Sequence, residues 1–291
     1  MIPFLLGAAA ATALAALNRR RIGRGVVADY VTRFPADAAG VANGAAGYVL
    51  PGTSGRGVLL LHGSGDTPHS MRSLAVALNA AGYEVHAPLL PGHGRSPASF
   101  ASATASDYRA AVTTALADVA RRNAWTGVIG LSMGGALAAI VTSESTSVDA
   151  LVLLAPYVMP TAQVRVTSRL SALWSLLVPY VRGRGESSVH DPIAREESRA
   201  YGTFSKGALA ALVATADAGY HALGTITVPT LVINSAKDNR IPRALANRAL
   251  HAITAPLEQH WLEGCGHIIT VDYCKDTVAQ LVLSFLARHT G

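Results

Sequence analysis

The chain has 291 residues, of which 50% are hydrophobic and only 14% are charged, and its formal net charge is +6. This composition supports a sizeable core and excludes global disorder, and the length suits one large α/β domain, with or without an insertion. The sequence has no basic stripe with interleaved aromatic residues and no Cys/His ligand cluster. These absences argue against nucleic-acid binding and against a structural metal ion.

An uncharged, mostly apolar run opens the chain at residues 2–17. Four arginines follow it: Arg19, Arg20, Arg21 and Arg24. The run is short for a membrane span, because a helix of this length reaches about 24 Å and a hydrocarbon core is ~30 Å thick. We expect residues 1–25 to be a weak anchor, associating through residues 2–24, with the remaining chain in the cytoplasm. The alternatives are a surface helix and a secretion signal, whose positive charge normally precedes the apolar run.

From residue 57 onward, short apolar runs alternate with helical patterns. The runs that predict strands cover residues 57–63, 83–88, 126–131, 149–156, 228–234 and 257–263. The helical patterns cover residues 70–82, 104–122, 133–143, 241–252 and 274–288. Nearly continuous apolar strands separated by helices predict a mostly parallel central sheet that is covered by helices on both faces.

Residues 157–224 interrupt this alternation, because they contain no convincing strand and carry two apolar helical patterns. Helices inserted between two strands would lie over the carboxyl end of the sheet, where open α/β folds bind ligands. We therefore predict a core of residues 26–156 and 225–291 with a helical cap at 157–224. Ordinary helical packing without a role in substrate choice is the alternative.

The stretch TGVIGLSMGGALAAI, residues 126–140, places one serine between glycines at a strand-to-helix junction. It contains Gly130-Leu131-Ser132-Met133-Gly134, the G-x-S-x-G string of a nucleophile elbow. In so tight a turn, a side chain two positions before or after the serine would collide with its neighbours, and glycine removes the collision. The pattern predicts that Ser132 projects beyond the sheet as a nucleophile.

A serine hydroxyl needs a general base, and the base needs an orienting acid. In hydrolases with this elbow the chain order is serine, acid, histidine. Asp238 follows the strand at 228–234, and His267 follows the last predicted strand. We predict that His267 is the general base and later the acid, and that Asp238 fixes its tautomer. A helix-capping role for Asp238 and a simple loop role for His267 are the alternatives.

The backbone N–H of Met133 is one expected half of an oxyanion hole, and the N–H of Ser64 in the loop HGSGDT (62–67) is the other. A glycine-rich loop after a strand could instead bind phosphate, but no Walker lysine and no G-x-G-x-x-G follow. We interpret His62 and His93 as structural loop residues.

The remaining candidates lie outside the positions that this chemistry requires. Asp66 and Asp149 do not follow a late strand. Cys265 and Cys274 are the only two cysteines, so they form no disulfide framework, and a reduced pair is the expectation with a bridge as the alternative.

With these motifs the chain resembles the α/β-hydrolase superfamily, particularly small bacterial carboxylesterases and monoacylglycerol lipases. The resemblance runs from about residue 57 to the end, except for the cap. The segments that carry it are LLLHGSGDTPHSMRSLAVALNAAGYEVHAPLLPGHGRSP, GLSMGGALA, PTLVINSAKDNRIP and GCGHIITVD. It implies an α/β-hydrolase fold with a small helical cap after the sixth strand. It also implies that the N–H of Ser64 serves the oxyanion hole, although relatives often carry a larger apolar residue there.

The resemblance further implies hydrolysis of carboxylic esters through an acyl-enzyme on Ser132, without a metal or organic cofactor. The apolar cap suggests medium acyl chains or monoacylglycerols as the small-molecule substrate. Two alternatives stay open: the same triad acting on an amide, thioester, C–C bond or peracid, and a non-catalytic binding protein. The second is disfavoured because such relatives usually lack a triad member. A nucleophilic aspartate is excluded by the serine at position 132, and the oligomeric state stays open.

Overall fold

The computed structural model describes residues 2–182 and 188–290. The strands are β1 Tyr48–Leu50, β2 Arg56–Leu61, β3 Glu84–Ala87, β4 Trp125–Leu131, β5 Ala150–Leu154, β6 Tyr180–Arg182, β7 Thr203–Ser205, β8 Thr230–Ser235 and β9 Leu257–Leu262. A seven-stranded sheet has the order β1-β3-β2-β4-β5-β8-β9, and β6 and β7 form a separate two-stranded sheet. Within the large sheet, only the β1–β3 pair is antiparallel. The expected mostly parallel sheet is therefore confirmed.

Helices cover both faces of this sheet. In chain order, the helices of the described residues are α1 Ile2–Arg33, α2 Arg72–Ala80, α3 Pro97–Ser102, α4 Ala105–Arg122, α5 Met133–Glu144, α6 Ala162–Arg169, α7 Ser171–Trp174, α8 Pro192–Glu197, α9 Lys206–Ala222, α10 Arg243–Leu250 and α11 Lys275–Arg288. Alternate strand residues face opposite layers: Leu59 and Leu61 pack with α4, α5 and α9, whereas Val58 and Leu60 pack with α2 and α11. Burial on both faces explains why the central strands are continuously apolar.

The inserted segment follows β5, one strand earlier in chain order than the sixth-strand position expected from the sequence. It contains α6, α7 and α8, and it also contains the antiparallel strand pair β6–β7. The expectation that residues 157–224 lack strands is therefore wrong. Each of these two strands has only three residues, which is too short to produce a recognisable sequence pattern.

The sequence predicts that α9 is part of the cap, but in the structure α9 packs against the core. Its Gly219 lies directly on α5, and a Cβ at that position would come within 2.6 Å of the Ala136 Cβ. Its Ala211, Leu212 and Ala216 join the same apolar cluster as the strands. Small residues thus let α9 pack closely in the helical layer of the core, and the cap ends before it.

The N-terminal helix α1 continues beyond the predicted segment 1–25 and ends at Arg33. At its end, Tyr30 and Phe34 are buried in an apolar cluster with Phe100 and Tyr201, and the rings of Tyr30 and Tyr201 stack with centroids 4.7 Å apart. No helix in the described ranges is both long and apolar enough to cross a membrane.

Candidate active site

Ser132 occupies the sharp turn between β4 and α5. Its φ of 56° and ψ of −117° are strained for a residue with a Cβ. A Cβ at Gly130 would lie 2.1 Å from the Gly134 carbonyl oxygen, and one at Gly134 would lie 2.2 Å from the Leu61 carbonyl oxygen. Only glycine therefore fits on either side, and the turn presents the Ser132 side chain at the carboxyl edge of the sheet.

Of the three residues selected from the sequence, His267 lies within hydrogen-bonding distance of both Ser132 and Asp238. His267 Nε2 is 2.8 Å from Ser132 Oγ, and His267 Nδ1 is 2.7 Å from Asp238 Oδ2. Because an ionised carboxylate only accepts, Nδ1 carries the proton and Nε2 is left to accept from the serine hydroxyl. Loops after β8 and β9 bring Asp238 and His267 to Ser132 from distant parts of the chain.

The carboxylate of Asp238 is held in its ionised form. Its other oxygen accepts the backbone N–H groups of Arg240 and Ile241, at 2.7 Å and 2.9 Å. Burial raises the pKa of Asp238, but the neighbouring His267 and the hydrogen bonds outweigh it, so the pKa lies below its usual value. The acceptor for the imidazole N–H is therefore charged and fixed at neutral pH.

The loop at 62–67 lies directly against Ser132. A Cβ at Gly63 would be 3.3 Å from the Ser132 Cβ, which is a close approach. In the described part of the chain, the N–H of Ser64 has no hydrogen-bond acceptor. Met133 is the first residue of α5, so its N–H has no acceptor within the helix. Both N–H groups selected from the sequence are thus available to a ligand.

Two buried histidines hold this loop. His62 Nε2 accepts the Leu90 N–H at 3.1 Å, and His93 Nε2 accepts the Gly65 N–H at 3.0 Å. Burial lowers the pKa of both rings, to about 4 for His93, which keeps them neutral as acceptors. Their interpretation as structural loop residues is confirmed by these contacts.

The same loop carries a buried carboxyl group, Asp66. Its Oδ1 accepts the Thr67 N–H at 2.8 Å, and its Oδ2 has no partner in the described part of the protein. Burial raises the pKa of Asp66 to about 6, against the opposing effects of Ser70, Thr67 and His267. No sequence pattern identifies such a group. By contrast, Asp149 accepts the Thr126 N–H at 2.7 Å, at the start of β4.

A second carboxylate, Asp272, holds the loop that carries His267, and the sequence reasoning did not select it. Asp272 is fully buried and accepts four backbone N–H groups at 2.7–2.9 Å. The donors are Gly266, Tyr273, and His190 and Asp191 from the cap. Burial raises its pKa, but these N–H groups lower it to a net value below the usual range. Asp272 thus ties the histidine loop to the cap.

A disulfide between Cys265 and Cys274 closes the same loop, with the two Cα atoms 5.7 Å apart. The expectation of a reduced pair is wrong, because the chain turns back between these residues and brings their side chains together. His267 lies inside the closed loop. The hydroxyl of Ser235, at the end of β8, donates to the Cys265 carbonyl and links the loop to the sheet.

The chemistry available at this site is nucleophilic attack on a carbonyl carbon. It supplies a hydroxyl, a base beside it and two N–H donors for developing negative charge. Across residues 2–182 and 188–290, no group of three or more His, Cys, Asp or Glu side chains is arranged to hold a metal ion.

Comparison with known proteins identifies the family of this chain and several relatives. A model of the alpha/beta hydrolase family matches residues 58–281. The thermostable monoacylglycerol lipase of Bacillus sp. (strain H-257) is 30% identical over 81% of this chain and 92% of the lipase. A carboxylesterase of Bacillus subtilis (strain 168) is 26% identical over 80% of this chain and 93% of the esterase. A solved structure from work on the metagenome-derived lipolytic enzymes LipS and LipT is 28% identical with a TM-score of 0.77, covering 86% of this chain and 100% of its own.

Proposed function

The chain belongs to the alpha/beta hydrolase family, and from this premise we propose that it cleaves carboxylic esters through an acyl-enzyme intermediate on Ser132. The observation that carries the proposal is the continuous hydrogen-bonded series Ser132–His267–Asp238, with separations of 2.8 Å and 2.7 Å. The similarity to a monoacylglycerol lipase and to a carboxylesterase supports the same type of bond.

In the proposed reaction, His267 Nε2 takes the proton of Ser132 while Oγ attacks the ester carbonyl carbon. The N–H groups of Met133 and Ser64 bind the resulting oxyanion, each contributing about 3 kcal/mol to transition-state stabilisation. The imidazolium, stabilised by Asp238, then protonates the departing alcohol and leaves an acyl group on Ser132. A water molecule, deprotonated by His267, attacks this acyl group, releases the acid and restores the hydroxyl.

For the substrate, we propose monoacylglycerols or other esters with medium acyl chains. The support is the name of the relative that is 30% identical, a monoacylglycerol lipase. The carboxylesterase that is 26% identical supports carboxylic esters more generally.

The test is hydrolysis of p-nitrophenyl esters of graded chain length and of monoacylglycerols, with Ser132→Ala as the inactive variant. We expect loss of nearly all activity in Ser132→Ala, and labelling of Ser132 alone by an organophosphonate. Ser143→Ala, at the other end of α5, is the matched control and keeps full activity. Labelling at another residue contradicts the assignment of the nucleophile. Faster cleavage of a matched amide or thioester would favour the alternative bond types, and labelling without turnover would favour a binding protein.

The cytoplasmic location favoured by the sequence stays a prediction, and the disulfide bears on it. Disulfides are rare in the cytoplasm and persist in oxidising compartments, so the Cys265–Cys274 bridge favours the outer side of the membrane. Rapid alkylation of thiols in intact cells distinguishes the two locations. Modified Cys265 and Cys274 indicate a reducing compartment, whereas unmodified cysteines that react only after reduction indicate an oxidising one.

A further inference from the structure

An exposed apolar surface lies on α1 and the cap, and we call it the leucine face. It consists of six leucines that are 50–69% exposed: Leu14, Leu17, Leu170, Leu173, Leu176 and Leu177. Soluble monomers rarely leave so many large apolar side chains exposed in neighbouring segments. Such a surface normally contacts a partner or a lipid phase.

The two parts of the leucine face are held together. Arg19 Nε donates to the Ser175 carbonyl oxygen at 2.9 Å, so the helix that carries Leu17 contacts the segment between Leu173 and Leu176. Farther along α1, a Cβ at Gly23 would lie 3.6 Å from the side chain of Pro179. The two segments that carry the leucines thus contact each other.

The two sequence segments that form this region, residues 2–28 and 157–182, contain only basic charges. Arg19, Arg20, Arg21 and Arg24 are exposed, and the sequence contains no acidic residue from residue 2 to residue 28. The cap sequence from 157 to 182 contains no acidic residue either. Arg165 in that segment is paired with Asp217, whereas Arg169 is exposed. Basic residues therefore border the leucines without acidic neighbours in these two segments.

We propose that the leucine face and its arginines dock the protein on an anionic lipid surface, without crossing it. Leucines insert at the boundary between headgroups and acyl chains, and arginines bind lipid phosphates; each feature alone gives weak binding and together they give stable attachment. Helix α1 lies outside the residues 58–281 that match the family, so this surface combines a helix outside the family match with the cap. Docking does not depend on the proposed ester hydrolysis.

The proposal is tested by sedimentation of the full chain with vesicles, without substrate. One set of vesicles is phosphatidylcholine alone, and the other contains an equal amount of phosphatidylglycerol. We expect binding to the anionic set, weak binding to the neutral set, and release at high salt because salt screens the attraction. Equal binding to both sets, or no binding to either, overturns the proposal.

Two variants separate the apolar and electrostatic parts. Leu173→Ser with Leu176→Ser lowers the partition coefficient at least about tenfold, since apolar area is lost from the lipid boundary. Arg20→Gln with Arg21→Gln lowers the partition coefficient about twenty-five-fold, at about fivefold for each basic residue. Matched controls outside the leucine face are Val49→Ser with Val76→Ser, and Arg121→Gln with Arg248→Gln. Circular dichroism and thermal melting establish that each variant folds.

The alternative occupant of the leucine face is a second copy of this chain. Analytical ultracentrifugation over a range of protein concentrations measures it directly. We expect a monomer in the absence of vesicles. A dimer that the leucine variants abolish, together with vesicle binding that they leave unchanged, overturns membrane docking and assigns the surface to self-association. If the leucine and arginine variants lose no more vesicle binding than their matched controls, membrane docking is also overturned.

Discussion

The buried carboxylates Asp238 and Asp272 stabilise the histidine loop in different ways. Asp238 accepts the imidazole N–H of His267, so it acts on the ring and its tautomer. Asp272 accepts only backbone N–H groups, including that of Gly266 immediately before His267. Backbone donors have fixed positions, so they determine where the loop lies rather than how the ring is charged. Correct placement of Nε2 against Ser132 therefore requires both carboxylates.

Replacing Asp272 by asparagine is expected to disturb the loop. An amide NH₂ would face one or more backbone N–H donors, and each buried donor left unsatisfied costs about 1–3 kcal/mol. We expect lower thermal stability and at least a tenfold lower kcat for a p-nitrophenyl ester, because small displacements of a base are costly. Asp149→Asn, which affects the Thr126 N–H at the start of β4, is the control. Full kcat in a destabilised Asp272→Asn would limit Asp272 to a role in stability.

Asp66 should destabilise the folded protein at neutral pH. Burial raises its pKa from 3.8 to about 6, so the folded state retains a proton that the unfolded chain releases above about pH 4. The free energy of unfolding therefore falls by about 3 kcal/mol in total as the pH rises from about 4 to about 6. Asp66→Asn removes the charge and keeps an acceptor for the Thr67 N–H. We expect it to unfold at a higher temperature than the wild type at pH 8.

Melting curves over a range of pH check the Asp66 prediction. The difference between Asp66→Asn and the wild type should grow between about pH 4 and pH 6 and then stay constant. Asp118→Asn, at an exposed position paired with Arg121, should show no such dependence. A difference that shrinks as pH rises would mean that Asp66 is stabilised as the charged form, contrary to its burial.

The loop between β9 and α11 is an element whose geometry depends on one covalent bond. The Cys265–Cys274 disulfide closes ten residues around His267, and loop-closure entropy gives about 2.7 kcal/mol for such a loop. We expect tris(2-carboxyethyl)phosphine to lower both the melting temperature and kcat of the wild type. The double variant Cys265→Ser with Cys274→Ser should resemble the reduced protein and should not respond to reductant. The prediction is contradicted if reduction leaves the melting temperature and kcat of the wild type unchanged while alkylation shows that both thiols have been freed.

Four of the six strands that the sequence predicted are buried on both faces. β2, β4, β5 and β8 are almost completely buried, so they appear as unbroken apolar runs. β1, β6 and β7 were not predicted, because strands of three residues carry no periodicity. The boundary of the cap at α9 was not predicted either, because an apolar alanine-rich helix looks the same in a cap and in a core layer.

At the candidate site, sequence reasoning selected the residues whose order along the chain carries information. Ser132, Asp238 and His267 each follow a strand, and parallel strands bring such positions to one edge of the sheet. Asp272 and Asp66 have no such signature. The importance of Asp272 comes from donors at residues 190 and 191, which are far away in sequence, and the pKa of Asp66 depends on burial. These properties require three-dimensional packing.

At the scale of the whole molecule, α1 serves two parts of the structure. Its first half is apolar in sequence and is followed by the four arginines that border the leucine face. Its last turn is part of the fold, because Tyr30 is packed between Phe34 and Tyr201, and Phe100 stacks on Tyr201. Phe100 in turn contacts the ring of His93, which holds the loop at 62–67. The N-terminal helix is therefore connected to the candidate site through a series of aromatic contacts.

Two truncations should separate these roles. Deleting residues 1–25 removes Leu14, Leu17 and the four arginines but keeps Tyr30 and Phe34, so we expect nearly unchanged hydrolysis of a water-soluble ester and loss of binding to anionic vesicles. Deleting residues 1–36 also removes both aromatic side chains, and each buried aromatic ring contributes about 3–5 kcal/mol. The longer deletion should therefore melt at a lower temperature and lose activity as the loop at 62–67 loosens. Equal melting temperatures for the two truncations would mean that the aromatic contacts of α1 do not stabilise the core.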